Sequence, residues 1–213
     1  MIMSITNEMK ELKEQVLKMC SVVVKNINDS INYYLGKECD VCINDDLVDQ
    51  YERLIEEMCI NILLKERLFA RDLKEVTGAL KLVSDLERIG DHAEDIYVFA
   101  NRLKEYNENR LQEIEGLSDF VIGMINKSIK AYVNKDYQMA NEVIKDDDYV
   151  DDKYEEIIEK LANIENVDKD YLPFAIYTTL VVKYLERIAD HSVNIAEWVV
   201  YISSGYYKDK MIF

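Results

Sequence analysis

Glu87 and Asp91 stand four residues apart in Asp85-Leu86-Glu87-Arg88-Ile89-Gly90-Asp91-His92-Ala93-Glu94-Asp95, and Glu186 and Asp190 repeat the spacing in Tyr184-Leu185-Glu186-Arg187-Ile188-Ala189-Asp190-His191-Ser192-Val193-Asn194. The offset is constant, since 186 − 87, 190 − 91 and 194 − 95 all equal 99. On a helix, residues four apart lie roughly 6 Å apart along the axis and on one face. Like charges at that spacing destabilise an isolated helix by a few tenths of a kcal/mol. A cation drawn in by the paired oxygens would relieve the repulsion. Carboxylates are hard ligands, and they suit Mg, Ca, Mn or Fe. Asp95 and Asn194 extend the two rows by another four residues, with Asn supplying a neutral oxygen, so the second row carries less negative charge.

A second pair recurs as well. Asp45-Asp46-Leu47-Val48-Asp49 matches Asp147-Asp148-Tyr149-Val150-Asp151 at an offset of 147 − 45 = 102. With about a fifth of the residues acidic, roughly eight acidic pairs at this spacing arise by chance. Two different pairs recurring in register inside a duplication are stronger evidence than any one pair. The candidate metal ligands are therefore Asp45, Asp49, Glu87, Asp91, Asp95, Asp147, Asp151, Glu186, Asp190 and Asn194. The competing reading is a solvated acidic face partly neutralised by Arg88 and Arg187. His92 and His191, the only histidines, follow the motif aspartates directly. At i+1 each imidazole is turned about 100° from the carboxylate row, which suits an interface or supporting role better than direct ligation.

The elements that must carry these residues are helical. One proline and six glycines punctuate 213 residues, and strand alternation is absent. The periodicity predicts helices over about 4–35, 37–65, 72–106, 112–134, 136–163 and 170–204, with 43–46 kinking or interrupting the second. Gly36 suits the cap of the first. The fold class is all-α: two tandem antiparallel three-helix bundles related by internal duplication, spanning 1–107 and 108–213.

Composition narrows the function classes. Asp and Glu number 42 against 26 Lys and Arg, a net charge of −16. That balance argues against nucleic acid and against anionic membrane surfaces, and it suits cations or a basic partner. No secretory signal opens the sequence, no window is long enough for a membrane span, and a cytoplasmic protein is expected. Cys20, Cys39, Cys42 and Cys59 are expected to be thiols, with Cys39 and Cys42 forming an unmatched CxxC.

At Leu86-Glu87-Arg88-Ile89-Gly90-Asp91-His92-Ala93 and Leu185-Glu186-Arg187-Ile188-Ala189-Asp190-His191, the sequence resembles the PhoU family of phosphate-uptake regulators. Ala70-Arg71-Asp72-Leu73 and the two Asp-x-x-Val-Asp segments add to the likeness, which covers nearly the full length. The second half has Tyr171-Leu172-Pro173-Phe174 where the first has Ala70-Arg71-Asp72-Leu73, and Ala189 where the first has Gly90. The resemblance implies a non-enzymatic negative regulator acting between a phosphate ABC transporter ATPase and a sensor histidine kinase. It also implies metal ions (Fe, Mg, Mn or Zn) on the carboxylate motifs, a homodimer, and peripheral attachment to membrane complexes. Two alternatives stand beside it. One is a ferritin-like oxidase, whose Glu-x-x-His pattern is missing at both motifs. The other is a metal-free helical scaffold.

Overall fold

The computed structural model describes residues 2–37, 40–65, 68–104, 112–163, 171–208 and 210–211. Among the described residues six helices carry the fold: α1 (Ile2–Tyr34), α2 (Asp45–Leu63), α3 (Ala70–Leu103), α4 (Gln112–Asn134), α5 (Tyr137–Ala162) and α6 (Tyr171–Ser204). They form the expected duplicated all-α architecture. α1, α2 and α3 pack on one another, as do α4, α5 and α6. The expected division at 107/108 and the acidic start of helix six at Asp170 lie outside the described residues, as does Cys39.

Each outer helix buries one stripe. In α1 it is Leu12, Val16, Met19, Val23, Ile27, Ile31 and Tyr34, spaced by three or four. α3 and α6 are central and bury several faces, because each packs on its own bundle and on the other. The seam between α3 and α6 is the most extensive in the molecule. The two run antiparallel: Gly78 meets Ile202, the rings of His92 and His191 are 5.6 Å apart, and Phe99 lies beside Tyr184. Gly78 has no room for a side chain, since an added Cβ would stand 2.5 Å from Ile202 Cγ1.

The duplication is visible in the caps. After α1, Gly36 adopts φ 72° and the Lys37 N–H donates to the Asn32 carbonyl. After α4, Lys135 adopts φ 54° and the Asp136 N–H donates to the Ala131 carbonyl. Both are Schellman-type ends, and 135 − 36, 136 − 37 and 131 − 32 all equal 99. Glycine takes this left-handed conformation freely. A lysine there costs about 1–2 kcal/mol.

Two expectations are corrected. α2 begins at Asp45 rather than near Lys37, so the 43–46 stretch marks a start, not a kink. The buried Asn26 accepts from the Asn44 N–H through Oδ1 at 3.2 Å, Asp29 accepts from the Cys42 N–H at 3.4 Å, and the Asn44 side chain caps Leu47. These contacts hold the preceding segment against α1 and fix the helix start. Strand is not wholly absent either. Tyr206–Tyr207 (β1) and Lys210–Met211 (β2) pair antiparallel. Gly205 turns the chain at φ 85°, and Tyr207 stacks on Trp198 with ring centroids 4.0 Å apart.

Leu86 and Leu185 are fully buried at equivalent positions, 185 − 86 = 99. Leu86→Ala and Leu185→Ala should each lower unfolding free energy by about 2–5 kcal/mol in urea denaturation, with helicity retained in the native baseline. A cost near zero at either site would contradict the packing described.

Candidate metal centre

Two acidic troughs form where a short helix lies across a long one. In the first half, α2 crosses α3 at Gly90. A Cβ on Gly90 would stand 3.0 Å from Val48 Cγ1 and 3.6 Å from Asp45 Oδ1. The missing side chain lets the start of α2 settle on α3, and Asp45 is carried in with it. Burial first, then Asp91, Glu94 and Asp49, push the Asp45 carboxyl up to about 6. Its Oδ1 is buried and has no hydrogen-bond partner among the described residues. Glu87 is raised by burial and by Asp91, with Glu52 and Asp49 adding to it and Arg88 opposing. Arg88 is the local counter-charge, 3.4 Å from Glu87 Oε2 and 3.2 Å from Asp91 Oδ2.

The second half repeats the arrangement on α5 and α6. Val150 and Ala189 are buried where Val48 and Gly90 stand in the first. Asp147 is pushed up to about 6 by burial and then by Asp190, Asp151 and Glu186. Burial and Glu186 raise Asp190. The counter-charge here is Lys183, 2.7 Å from Glu186 Oε2. Asp147 and Asp190 open on a cavity of about 610 Å³, which Arg88, Arg187, His92 and His191 also line.

The structure thus brings together Asp45, Asp49, Glu87 and Asp91 in one trough and Asp147, Asp151, Glu186 and Asp190 in the other. Asp95 and Asn194 lie further along α3 and α6, and Asn194 lines the same cavity as Asp147 and Asp190. Eight residues along a helix turn a side chain about 80° from the starting face, enough to carry these two to the α3–α6 seam. Asn194 Nδ2 donates to Asp85 Oδ1 at 3.1 Å, and Asp85 also meets His191 Nδ1 at 2.9 Å. Asp95 faces Tyr184 and lies 3.7 Å from His92 Nδ1. Burial, then His191, push the His92 imidazole down from its usual range. Shifting Asp85, His191 and Asn194 by the 99-residue offset gives Tyr184, His92 and Asp95, so the two polar groups are copies of each other about the axis between the histidines.

Two acidic neighbours escaped the sequence reading. Glu52 acts on Glu87, and Glu94 acts on Asp45. Their counterparts in the second half are Tyr154 (52 + 102) and Val193 (94 + 99), so a search for repeated carboxylates passes over them. Glu52 follows Asp49 by three residues on one helix face, the signal that could have found it.

Among the described residues no three His, Cys, Asp or Glu side chains converge as a ready-made metal cage. The carboxylates are neighbours along open troughs. Their donor chemistry still fits a hard cation: the oxygens come from several carboxylates, and one buried oxygen lacks any partner among the described residues. No described helix is long and apolar enough to cross a membrane.

The family whose profile matches this chain is described as the PhoU domain, and it matches twice, over residues 16–99 and 114–199. The matches are displaced by 114 − 16 = 98 at the start and 199 − 99 = 100 at the end, bracketing the offset read from the motifs. A phosphate-specific transport system accessory protein PhoU homolog of Clostridium acetobutylicum is 34% identical over 205 residues, covering 93% of this chain and 94% of that protein. Its namesake in Aquifex aeolicus is 35% identical over 212 residues, covering 95% and 94%. The crystal structure of PhoU from Pseudomonas aeruginosa superposes with a TM-score of 0.86 at 29% identity, over 94% of this chain and 99% of that one. The phosphate transport system regulatory protein PhoU from Streptococcus pneumoniae, at 22% identity and a TM-score of 0.83, shares the fold.

The raised Asp147 carboxyl sets a pH dependence. Its folded value of about 6 exceeds the ordinary 3.8, so the native state holds more protons between those values and stability falls as pH rises through that window. In chelator-treated protein, Asp147→Asn should therefore raise the melting temperature by a few degrees at pH 7, with the gain fading as the pH approaches 4. A lower melting temperature at pH 7 would show that the trough does not penalise the charge.

Proposed function

The chain belongs to the PhoU family, and from that premise we propose that it is an accessory protein of a phosphate transport system that restrains phosphate uptake and phosphate-starvation signalling. It acts without catalysis, in the cytoplasm, as a metal-binding adaptor between the ATPase of a phosphate ABC transporter and a sensor histidine kinase. The observation that carries the metal part is the pair of troughs in which Asp45 meets Asp91 and Asp147 meets Asp190. Divalent or ferric ions would supply the positive charge that these carboxylates lack. Asp45, Asp49, Glu87 and Asp91 would hold one site, and Asp147, Asp151, Glu186 and Asp190 the other.

Each trough joins an outer helix to a central one. Drawing Asp45 and Asp91 together would clamp α2 to α3, and drawing Asp147 and Asp190 together would clamp α5 to α6. Because α3 and α6 share the central seam, both clamps bear on one element pair. Arg88 and Lys183 already neutralise part of each trough, so a cation competes with them for Glu87, Asp91 and Glu186. The remaining acidic surface presents negative charge to basic patches on partners. Two copies of the chain associate, and the dimer docks at the membrane complex from the cytoplasmic side.

An oxidase reading needs histidine among the metal ligands. Here the two histidines face each other across the α3–α6 seam, 5.6 Å apart between ring centroids, and neither follows a motif glutamate by three residues.

Elemental analysis of protein purified without chelator tests the metal role. Wild type should retain metal, and Glu87→Ala/Asp91→Ala together with Glu186→Ala/Asp190→Ala should lose most of it while circular dichroism stays helical. Equal metal content in wild type and variants would show that these carboxylates do not hold it, and wild type free of metal would leave the scaffold reading. In cells, removing the gene should switch on phosphate-starvation genes in phosphate-rich medium; unchanged expression would reject the regulatory role.

A further inference from the structure

The motif Ala70-Arg71-Asp72-Leu73 has no counterpart in the second half, and the carboxylate troughs make no use of it. It opens α3 at the end of the molecule away from the histidine pair. A cleft of about 430 Å³ lies there, lined by Ala70, Arg71, Lys74, Glu75, Lys135, Ile202 and Ser203. Three cationic side chains face it against one carboxylate. Glu75 is already engaged, 2.7 Å from Lys135 Nζ. Among the described residues neither Arg71 nor Lys74 has a carboxylate within ion-pair distance. Two cations without an ion-pair partner among the described residues thus line one concave site.

The fold holds these groups in place. Lys135 takes the left-handed position that the first half fills with Gly36, and from there its side chain reaches Glu75 on α3. The Ser203 hydroxyl donates to the Lys135 carbonyl at 3.4 Å, tying the α4–α5 turn to α6. Lys74 Nζ sits against Gly205, 2.6 Å from where a Cβ would stand, so the glycine leaves room for the ammonium. The first turn of α3 adds N–H groups, because Phe69 supplies no side-chain cap. The duplication did not copy the site: Tyr171-Leu172-Pro173-Phe174 opens α6 where Ala70-Arg71-Asp72-Leu73 opens α3.

We infer that this cleft is a binding site for a tetrahedral oxyanion, phosphate either free or as a monoester, held by Arg71, Lys74 and Lys135. With Glu75 counted, Arg71, Lys74 and Lys135 leave the cleft two positive charges, matching a phosphate dianion, and the guanidinium fork suits its oxygens. Cavities of this size accept small molecules, so the monoester fits as well as the free ion. The site is separate from the carboxylate troughs and does not depend on metal.

Calorimetric titration of the full chain, with chelator present, tests it. The probes are orthophosphate and adenosine monophosphate. Chelator keeps trough-bound metal out of the signal, so failure here leaves the metal reading untouched. Arg71→Gln/Lys74→Gln should weaken binding by about tenfold or more, and Lys10→Gln, on the exposed face of α1, should leave it unchanged. Both substituted side chains lie at the surface of the cleft, and circular dichroism checks that the helices persist. Binding of orthophosphate identifies the free ion as ligand, and binding of the monoester alone identifies a phosphoryl group on a larger molecule; either supports the site. Absence of binding with both probes at millimolar concentration, or equal affinity in wild type and the double variant, overturns it.

Discussion

Like charges are held side by side where α2 crosses α3 and where α5 crosses α6, and the rest of the fold has to accommodate that repulsion. In water such carboxylates would move apart. Here they cannot, because Gly90 lets Val48 sit directly on α3 and the buried Val150 and Ala189 take the same places in the second half. Burial raises Asp45 and Asp147 more than any single neighbour does, so removal from solvent is the largest single contribution to the penalty. The apolar stripes of the two bundles offset it. The acidic troughs are therefore a property of how tightly the helices pack as much as of how many carboxylates the chain has.

Much of this was legible in the sequence, for definite reasons. Helical period and a lack of glycine and proline located six helices to within a few residues, except at the start of α2. There Asn26, a buried polar residue on α1, captures the Asn44 N–H, and that long-range contact leaves no mark in local periodicity. The repeated pairs Asp45/Asp49, Glu87/Asp91, Asp147/Asp151 and Glu186/Asp190 were legible because duplication wrote them twice. Asp95 and Asn194 show how a helical row drifts around the cylinder: by the third member the side chain meets neighbours across the α3–α6 seam, while Asn194 still lines the cavity that Asp147 and Asp190 open on. Glu52 and Glu94 show a limit, since a filter built on repetition misses what only one half contains.

The polar residues of the central seam follow one rule. Asp85, His191 and Asn194 form one set, and Tyr184, His92 and Asp95 form its copy. The copies differ in chemistry. His191 meets the Asp85 carboxylate at 2.9 Å, while its counterpart His92 lies 5.2 Å from the Tyr184 ring and 3.7 Å from Asp95 Oδ2. The backbone relation between the halves has been preserved while the side chains diverged. The troughs have diverged in the same way, with Arg88 between Glu87 and Asp91 in one and Lys183 on Glu186 in the other. α3 and α6 connect all of this, because each lines a trough on one side and the seam on another.

The ring of Tyr207 lies flat against Trp198, 4.0 Å away at an interplanar angle of 17°. Trp198 is the chain's sole indole. Its emission therefore reports one place, the junction between the last helix and the short ribbon that follows. Any event that lifts this ribbon away can be followed by intrinsic fluorescence, with no dye attached and no background from a second emitter of its kind.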